Sequence, residues 1–470
     1  MPAPQTTITR RVESPPRFSA LTNTGLLHAV GLAEKGPSNE PVRVESPSAF
    51  TDRFGERGNA YSLLADAAET FFGEGGTAAV VARVVGPNAV ASDVIVQDQA
   101  GTPQDTLRFY GDGPGIYYDD YQVVITNSGS TYTVDVQYQG ETVEKHTGLA
   151  DPPAAVRALE PSVHVHAEDL GSTSSSPNPA DGTYGLTGGD DDSANVTDSE
   201  WQAALDAITA DWGTGQVAAP GRTTTSGHEQ LIAHAEATRR TALLDGDEAA
   251  SVSSLANTPD SLAASNTGTS RAIFCSGWVR IPDDGDVRRD APPSSFVAGL
   301  IARNDAAAHP GDAPIHEDGQ ASHAIAATNP RSPEERDTLA EGRAVDLIDN
   351  RLGLRLDGFY SVLGAPWRHA SASRVAMAIE ADAHVAGEQF IGEPINNETI
   401  SRFEAVLSNI AKRYYDAGAL FGDSARDAFD VDTSMNTDTT AANGELHGDI
   451  YGRITKFAEF VRVAVIRTRI

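Results

Sequence analysis

The segment Pro292-Pro293-Ser294-Ser295-Phe296-Val297-Ala298-Gly299-Leu300-Ile301-Ala302-Arg303-Asn304-Asp305 opens on two prolines and runs into a candidate helix over Ser295 to Asp305. Proline suits the start of a helix and not its interior, so the pair marks a boundary. Upstream of it, short apolar runs alternate with helical patterns. Glu200 to Ile208 reads as helix, Gly215 to Ala219 as strand, His228 to Arg240 as helix and Thr241 to Leu244 as strand. Ser251 to Ala264 follows as helix, and Arg271 to Ile281 as one long strand or a strand pair. Such alternation predicts a largely parallel sheet.

Further out, the chain changes character. Val94–Val96, Thr106–Tyr110, Tyr121–Asn127, Thr131–Tyr138 and Glu141–His146 are short alternating strands, parted by Asn127-Ser128-Gly129 and Gln139-Gly140 turns. They predict a small antiparallel β domain inserted between α/β segments. Residues 171–183 read as a surface loop. Before the insert come a buried strand (Gly25 to Gly31), a turn at Lys35-Gly36-Pro37 and a short helix (Ser48 to Phe54) with Ser48 as N-cap. A helix from Tyr61 to Phe72 has Leu63, Leu64, Ala67, Ala68, Phe71 and Phe72 on one face, and Ala78 to Val85 is a buried strand. Near the other end, Ile400 to Ala417 is amphipathic, with Phe403, Val406, Leu407, Ile410 and Tyr414 in phase and Gly418 just past it. Asp449 to Thr455 is a strand.

Both termini also read as strands. Thr6, Thr7, Ile8, Thr9, Arg10, Arg11 and Val12 form a β-branched run that Pro15-Pro16 ends. Phe460, Val461, Arg462, Val463, Ala464, Val465, Ile466, Arg467 and Arg469 run to Ile470, with Val461, Val463, Val465, Arg467 and Arg469 on one face. A free terminal strand pairs with an edge of its own sheet or with one in a neighbour.

The 470 residues hold 66 acidic and 35 basic side chains, a net charge of -31, and Lys occurs only at positions 35, 145, 412 and 456. An acidic surface repels phosphate backbones and anionic lipid, so neither nucleic acid nor membrane is an expected partner. It stays hydrated in concentrated salt, which points to a halophile. No apolar run reaches membrane-spanning length and no signal peptide pattern precedes Thr6. Cys275 is the only cysteine and lies in an apolar stretch, as a small buried hydrophobe does.

Catalytic patterns are absent: no phosphate loop, no Gly-x-Ser-x-Gly elbow, no His-Glu-x-x-His. Ser424 in Gly422-Asp423-Ser424-Ala425 reads as a loop or cap serine rather than a nucleophile. The Asp190-Asp191-Asp192 run lacks the glycine and bidentate position of a calcium loop. His164 and His166 share a strand face without a third ligand. Arg239-Arg240 and Arg288-Arg289 are expected to meet acidic partners in a subunit interface. No cofactor or metal is expected.

In order along the chain, the segments resemble those of contractile tail sheath proteins. LLHAVGLAEKGPSNEPVRVESPSAFTDRFGERG (26–58) and ADAAETFFGEGGTAAVVARVVG (65–86) are similar to the family's opening, with Gly36, Pro37, Phe54, Gly55, Phe71, Phe72, Gly75, Gly76 and Arg83 in register. Asp112 to Val124, with Gly115 matching and Tyr118-Asp119-Asp120 departing, resembles an insert segment, as does Thr142-Val143-Glu144-Lys145. Leu186 to Asp191 lacks the family's final glycine. Ala219-Pro220-Gly221, Leu243-Leu244-Asp245 and above all Pro292 to Asp305 match, followed by Phe390 to Asn397, Asp416 to Gly422, Asn436-Thr437 and Ala458 to Val461. One segment survives only as Leu363 to Trp367, and the proline-rich run before Ala458 is missing.

The resemblance implies a multidomain α/β fold. A linking arm (1–20) precedes a core sheath domain whose N-terminal part is 21–87. An inserted antiparallel β domain (88–183) and a subtilisin-like α/β domain without a catalytic triad (184–345) follow. The C-terminal core with its linking strand is 346–470. It implies a non-enzymatic subunit that stacks as six-membered rings around a tube. The expected partners are further copies of itself, a tail tube protein, and baseplate and terminator or cap proteins. It would be assembled in the host cytoplasm and act in a virion tail or an injection particle. A subtilisin-like hydrolase and a surface-layer protein are the competing readings.

Overall fold

The computed structural model describes residues 23–58, 61–283, 287–316 and 319–455. The first stretch contains β1 (Leu27–Leu32), β2 (Val42–Val44), α1 (Pro47–Phe54), α2 (Ser62–Gly73) and β3 (Ala79–Val84). The insert holds β4 (Ala91–Gln97), β5 (Asp105–Pro114), β6 (Tyr121–Ser128), β7 (Thr131–Tyr138), β8 (Glu141–Leu149), α3 (Pro152–Leu159), β9 (Val165–Asp169) and β10 (Gly182–Gly185). Next come α4 (Asp198–Ala207), β11 (Gln216–Ala218), α5 (Thr225–Thr238), β12 (Thr241–Asp245), α6 (Val252–Ser265), β13 (Ala272–Cys275) and β14 (Val279–Pro282). They are followed by β15 (Arg288–Ala291), α7 (Pro293–Ala307), β16 (Ala326–Ala327), α8 (Pro333–Glu341), β17 (Ala344–Asn350) and β18 (Gly353–Asp357). The C-terminal part has α9 (Ala370–Gly387), α10 (Asn397–Asp416), α11 (Ala425–Ala428), β19 (Phe429–Asp432), α12 (Asp438–Ala442) and β20 (Asp449–Gly452).

Eight strands form the central sheet in the order β18-β17-β13-β12-β11-β1-β3-β2. The inner six run parallel, and β18 and β2 close the two edges antiparallel. Parallel strands covered on both faces read as continuous apolar runs, which is why Val80-Val81-Ala82 and Leu243-Leu244 do not alternate. On one face α1, α2 and α7 pack over Leu27, Ala29, Val81, Leu243 and Ile273. On the other, α4, α5, α6 and α8 pack over Val30, Val80, Val217, Leu244 and Phe274. Residues 27–84 and 216–357, which the sequence places on either side of an insert, thus share one sheet.

Helix α7 carries the quoted segment. It is apolar all round because it is buried all round, from Pro293 to Ala302. Helix α2 crosses it at Gly299, where a Cβ would stand 2.5 Å from Glu74 Cβ and 2.8 Å from the Phe71 carbonyl oxygen. The insert folds as a three-stranded sheet (β4-β5-β9) and a four-stranded one (β10-β6-β7-β8) around Leu107, Phe109, Tyr121, Val123 and Val134.

Some local expectations shift. The N-cap of α1 is Ser46, whose Oγ accepts from Ala49 N at 3.0 Å; Ser48 is already inside the first turn. Leu63 is 39% exposed and leaves the buried face of α2. The loop expected to run through residue 183 ends earlier, where β10 pairs with β6.

Candidate functional site

The candidate terminal strands, Thr6 to Val12 and Phe460 to Arg469, lie outside the described residues. The described residues nearest to them in the chain are Asn23 and Thr24 at one end and Ile454 and Thr455 at the other. Thr24 anchors the N-terminal root: its Oγ1 donates to Asp305 Oδ2 at 2.6 Å. The same carboxylate holds Arg374 of α9, with Nη2 2.5 Å and Nη1 3.2 Å away, and both side chains are buried. Asp305 therefore ties the chain's first described turn, the buried helix α7 and the first helix of the C-terminal part. Beside it, Asn23, Leu26, Trp212, Arg239, Ala381 and Val385 line a crevice of about 420 Å³.

The C-terminal root is a two-stranded antiparallel ribbon. Phe429 pairs with Gly452, Asp430 with Tyr451, Val431 with Ile450 and Asp432 with Asp449. Phe429, Ile450 and Ile454 pack on Ile410 and Tyr414 of α10, in a core drawn wholly from residues 375–454. The outer face shows Asp430, Tyr451 and Arg453, with Arg453 stacked over an exposed Phe421 at 5.4 Å. Arg453 donates its amide to Ala428 O at 2.8 Å and accepts from Phe421 N at 2.6 Å, both on the β19 side. By strand alternation Ile450, Gly452 and Ile454 turn their amides to the other edge. Among the described residues no strand pairs with that edge, nor with the far edge of β19. Next to the β20 edge runs a groove of about 360 Å³ lined by Ile379, Ala383, Leu407, Ile450 and Ile454. A two-stranded ribbon needs a further strand or a helix to be stable in water, and α10 supplies that support here.

The groups weighed for chemistry have structural employment. Asp245, at the end of β12, is fully buried and accepts from Gly221 N (2.8 Å), Ser294 N (2.6 Å) and Ser294 Oγ (2.8 Å). Burial pushes its carboxyl up to about 6. These bonds satisfy the start of α7, so they fix the Pro292 segment against Leu243-Leu244-Asp245. His228 is near, but its ring contacts the Asp245 carbonyl oxygen (2.9 Å) and not the serine, and all three side chains are closed to solvent. Burial lowers this histidine to about 4.

Ser424 stands at the start of α11 and donates to Asp427 at 3.2 Å. Asp191 accepts from Tyr61 at 2.6 Å and Asp192 from Asn88 and Asn195, so these carboxylates act as acceptors for protein donors. His166 bonds Asp112 (3.0 Å), which holds it above its usual range, and His164 bonds Tyr121. No group of three or more potential metal ligands occurs among the described residues. No helix there is long and apolar enough to cross a membrane. Cys275 is buried and its thiol pushed up by desolvation.

Three of the four paired arginines have partners within the chain among the described residues. Arg240 is buried within its own chain, donating to the carbonyls of Gly213, Ile208 and Thr209, and Arg239 faces Glu380. Arg289 joins Asp66, Glu69 and Asp283. Arg239, Arg240 and Arg289 thus find partners within the chain that are distant in sequence. The sequence reading also missed Arg83. It is buried and bonds the carbonyls of Ala33 (2.9 Å), Gly36 (2.8 Å) and Pro114 (2.6 Å), pinning the insert to the body. Its position in the matched "ARVVG" segment was the available sign.

No protein-family model matches this sequence, and no curated protein does. Solved structures do. The sheath tail protein of Listeria innocua superposes with a TM-score of 0.65 at 13% identity, covering 93% of this chain and 96% of that one. A sheath tail protein of Desulfitobacterium hafniense gives 0.57 at 13% identity, over 91% and 93%. The contracted helical sheath of the anti-feeding prophage gives 0.55 at 13% identity, over the full length of both chains. The mixed α/β, multi-sheet architecture is therefore that of these sheath proteins.

Proposed function

We propose that this chain is the structural subunit of a contractile sheath, which polymerises helically around a tail tube and drives that tube through a cell envelope on contraction. The observation that carries the reading is the β19–β20 ribbon, open at both edges among the described residues, within a fold that matches sheath proteins over their whole length. Fold alone leaves function open; an incomplete ribbon at the root of one terminal strand supplies the site.

In this account the strands Thr6 to Glu13 and Phe460 to Ile470 of one copy complete ribbons in neighbouring copies. Main-chain hydrogen bonds then link the copies into a mesh. Non-closing head-to-tail contacts generate the helix, with six copies per ring. The subunits move as rigid bodies between extended and contracted packings. The Arg83 and Asp305 knots support that rigidity, because they hold the insert and the C-terminal part to the α/β body. The hinges proposed for this motion are the segments at Pro15-Pro16 and near Gly452. Tube, baseplate and terminator proteins are the partners, and the acidic surface suits concentrated salt. Energy stored at assembly drives contraction, so no nucleotide site is needed.

Deletion of residues 1–13 tests the linkage. Electron microscopy should show monomers or short, fragile rings in place of sheaths. Normal sheaths that contract as before would remove the linking role of the arm.

A further inference from the structure

Strand β1 is where the central sheet changes direction. On one side it pairs with β3, reached through α1 and α2, which pack on one face. On the other it pairs with β11, which α4 precedes and α5 follows on the opposite face. Where neighbouring connections leave to opposite faces, a crevice opens beyond the carboxyl ends of the strands, and open α/β sheets bind ligands there. Here that crevice measures about 270 Å³. It is lined by Leu32 at the end of β1, Leu63 and Leu64 of α2, Trp201 of α4 and the turn from Pro220 to Thr224 after β11.

Among the described residues, the lining holds a single charged side chain, Arg222. It is only 8% exposed. Its Nη2 donates to Asp198 Oδ1 at 2.6 Å, and its guanidinium lies 4.9 Å over the Trp201 ring. The side chain rests on the first turn of α5, where a Cβ on Gly227 would come within 2.8 Å of Nε. Nη1 is buried, and nothing among the described residues accepts from it. A buried donor without a partner is costly and rare. Thr224, which also lines the crevice, is the N-cap of this 14-residue helix, so the positive helix end lies at the same place.

We propose that this crevice binds a small organic monoanion, a carboxylate on a flat apolar body. Arg222 holds the carboxylate through Nη1 at the start of α5, and Leu32, Leu63 and Leu64 cover the apolar body. One free guanidinium nitrogen suits one acceptor oxygen. A phosphate dianion fits less well. It brings a second charge to a site with one cation, close to the carboxylates of Asp198 and of Asp245, which accepts from Gly221 N at 2.8 Å. A volume just below the ~300–1,000 Å³ usual for drug-sized ligands limits the apolar body to about one ring. Bound there, the ligand touches α2 on one layer and α4 on the other and ties the two together. The site is built within one chain, so it stands or falls independently of the sheath reading.

Titration calorimetry of the full chain with benzoate, in dilute salt of fixed concentration, tests the proposal. The expected result is one saturable site per chain with a Kd of about 1 mM, in the range open to so small a ligand. Benzyl alcohol, which keeps the ring and loses the charge, and inorganic phosphate should each bind about tenfold more weakly or not at all. Arg222→Met keeps an apolar stem beside Trp201 and should weaken benzoate about tenfold. Leu63→Trp fills the crevice from a partly exposed position and leaves Arg222 in place. It should weaken benzoate as much, and it decides the matter if Arg222→Met fails to fold. No saturable heat with benzoate, or unchanged benzoate binding by either folded variant, would overturn the site. Benzyl alcohol or phosphate binding as tightly as benzoate would overturn the ligand class.

Discussion

Single residues carry the fold where chain segments cross. Gly299 lets α2 and α7 approach until a Cβ would overlap Glu74 Cβ. Gly299→Ala should cost about 1–3 kcal/mol by overpacking, whereas Gly101→Ala, in open space, should be neutral; urea denaturation of the two variants decides. Asp346 on β17 is buried, and that burial pushes its carboxyl up to about 6 despite Arg331 at 3.4 Å. A folded-state value above the unfolded one means that its contribution is fully present below about pH 4 and is lost as pH rises through about 6. That loss is about 3 kcal/mol. Asp346→Asn should flatten the fall of melting temperature between pH 4 and 6, and an unchanged slope would exclude the assignment. At this scale the sequence was legible where the partner is local and opaque where it is not. A cap for α1 was foreseen and missed by two residues. The long-range employment of Arg83, Arg240 and Arg289 depends on carbonyls and carboxylates brought together by the sheet.

Among the elements, α7 is both the most informative in sequence and the most connected in structure. Its start is satisfied by Asp245 and its end by Arg374 and Thr24. Breaking one side of a buried ion pair leaves an uncompensated charge, at about 3–5 kcal/mol. Arg374→Met should therefore be strongly destabilising, and Arg374→Met with Asp305→Asn less so than the single change; thermal unfolding of the set measures the difference. Additive losses would show that the two side chains are not coupled. The amphipathic α10 was legible because one face is wet. Helix α9 was not, because an Ala- and Ser-rich helix buried through most of its length shows little periodic contrast. The small strands β15 and β16 and the edge strand β2 are too short for period-two patterning to stand out, whereas β13 and β14 fall within the strand pair expected over Arg271 to Ile281.

At the scale of the whole molecule, the alternation of strand and helix pointed to a parallel sheet, and the insert to antiparallel β structure. That one sheet draws on both sides of the insert could not be read from order alone, since β1 joins β3 and β11 as parallel neighbours. Composition bears on assembly more than on fold. A net charge of -31 makes copies repel at low ionic strength, where the screening length is long. The most direct measurement is negative-stain electron microscopy of the purified full chain, at equal concentration in dilute and in molar salt. The account predicts hollow, cross-striated cylinders with sixfold symmetry in molar salt, and few or none in dilute salt. Discrete single particles under both conditions, at every concentration tried, would contradict it.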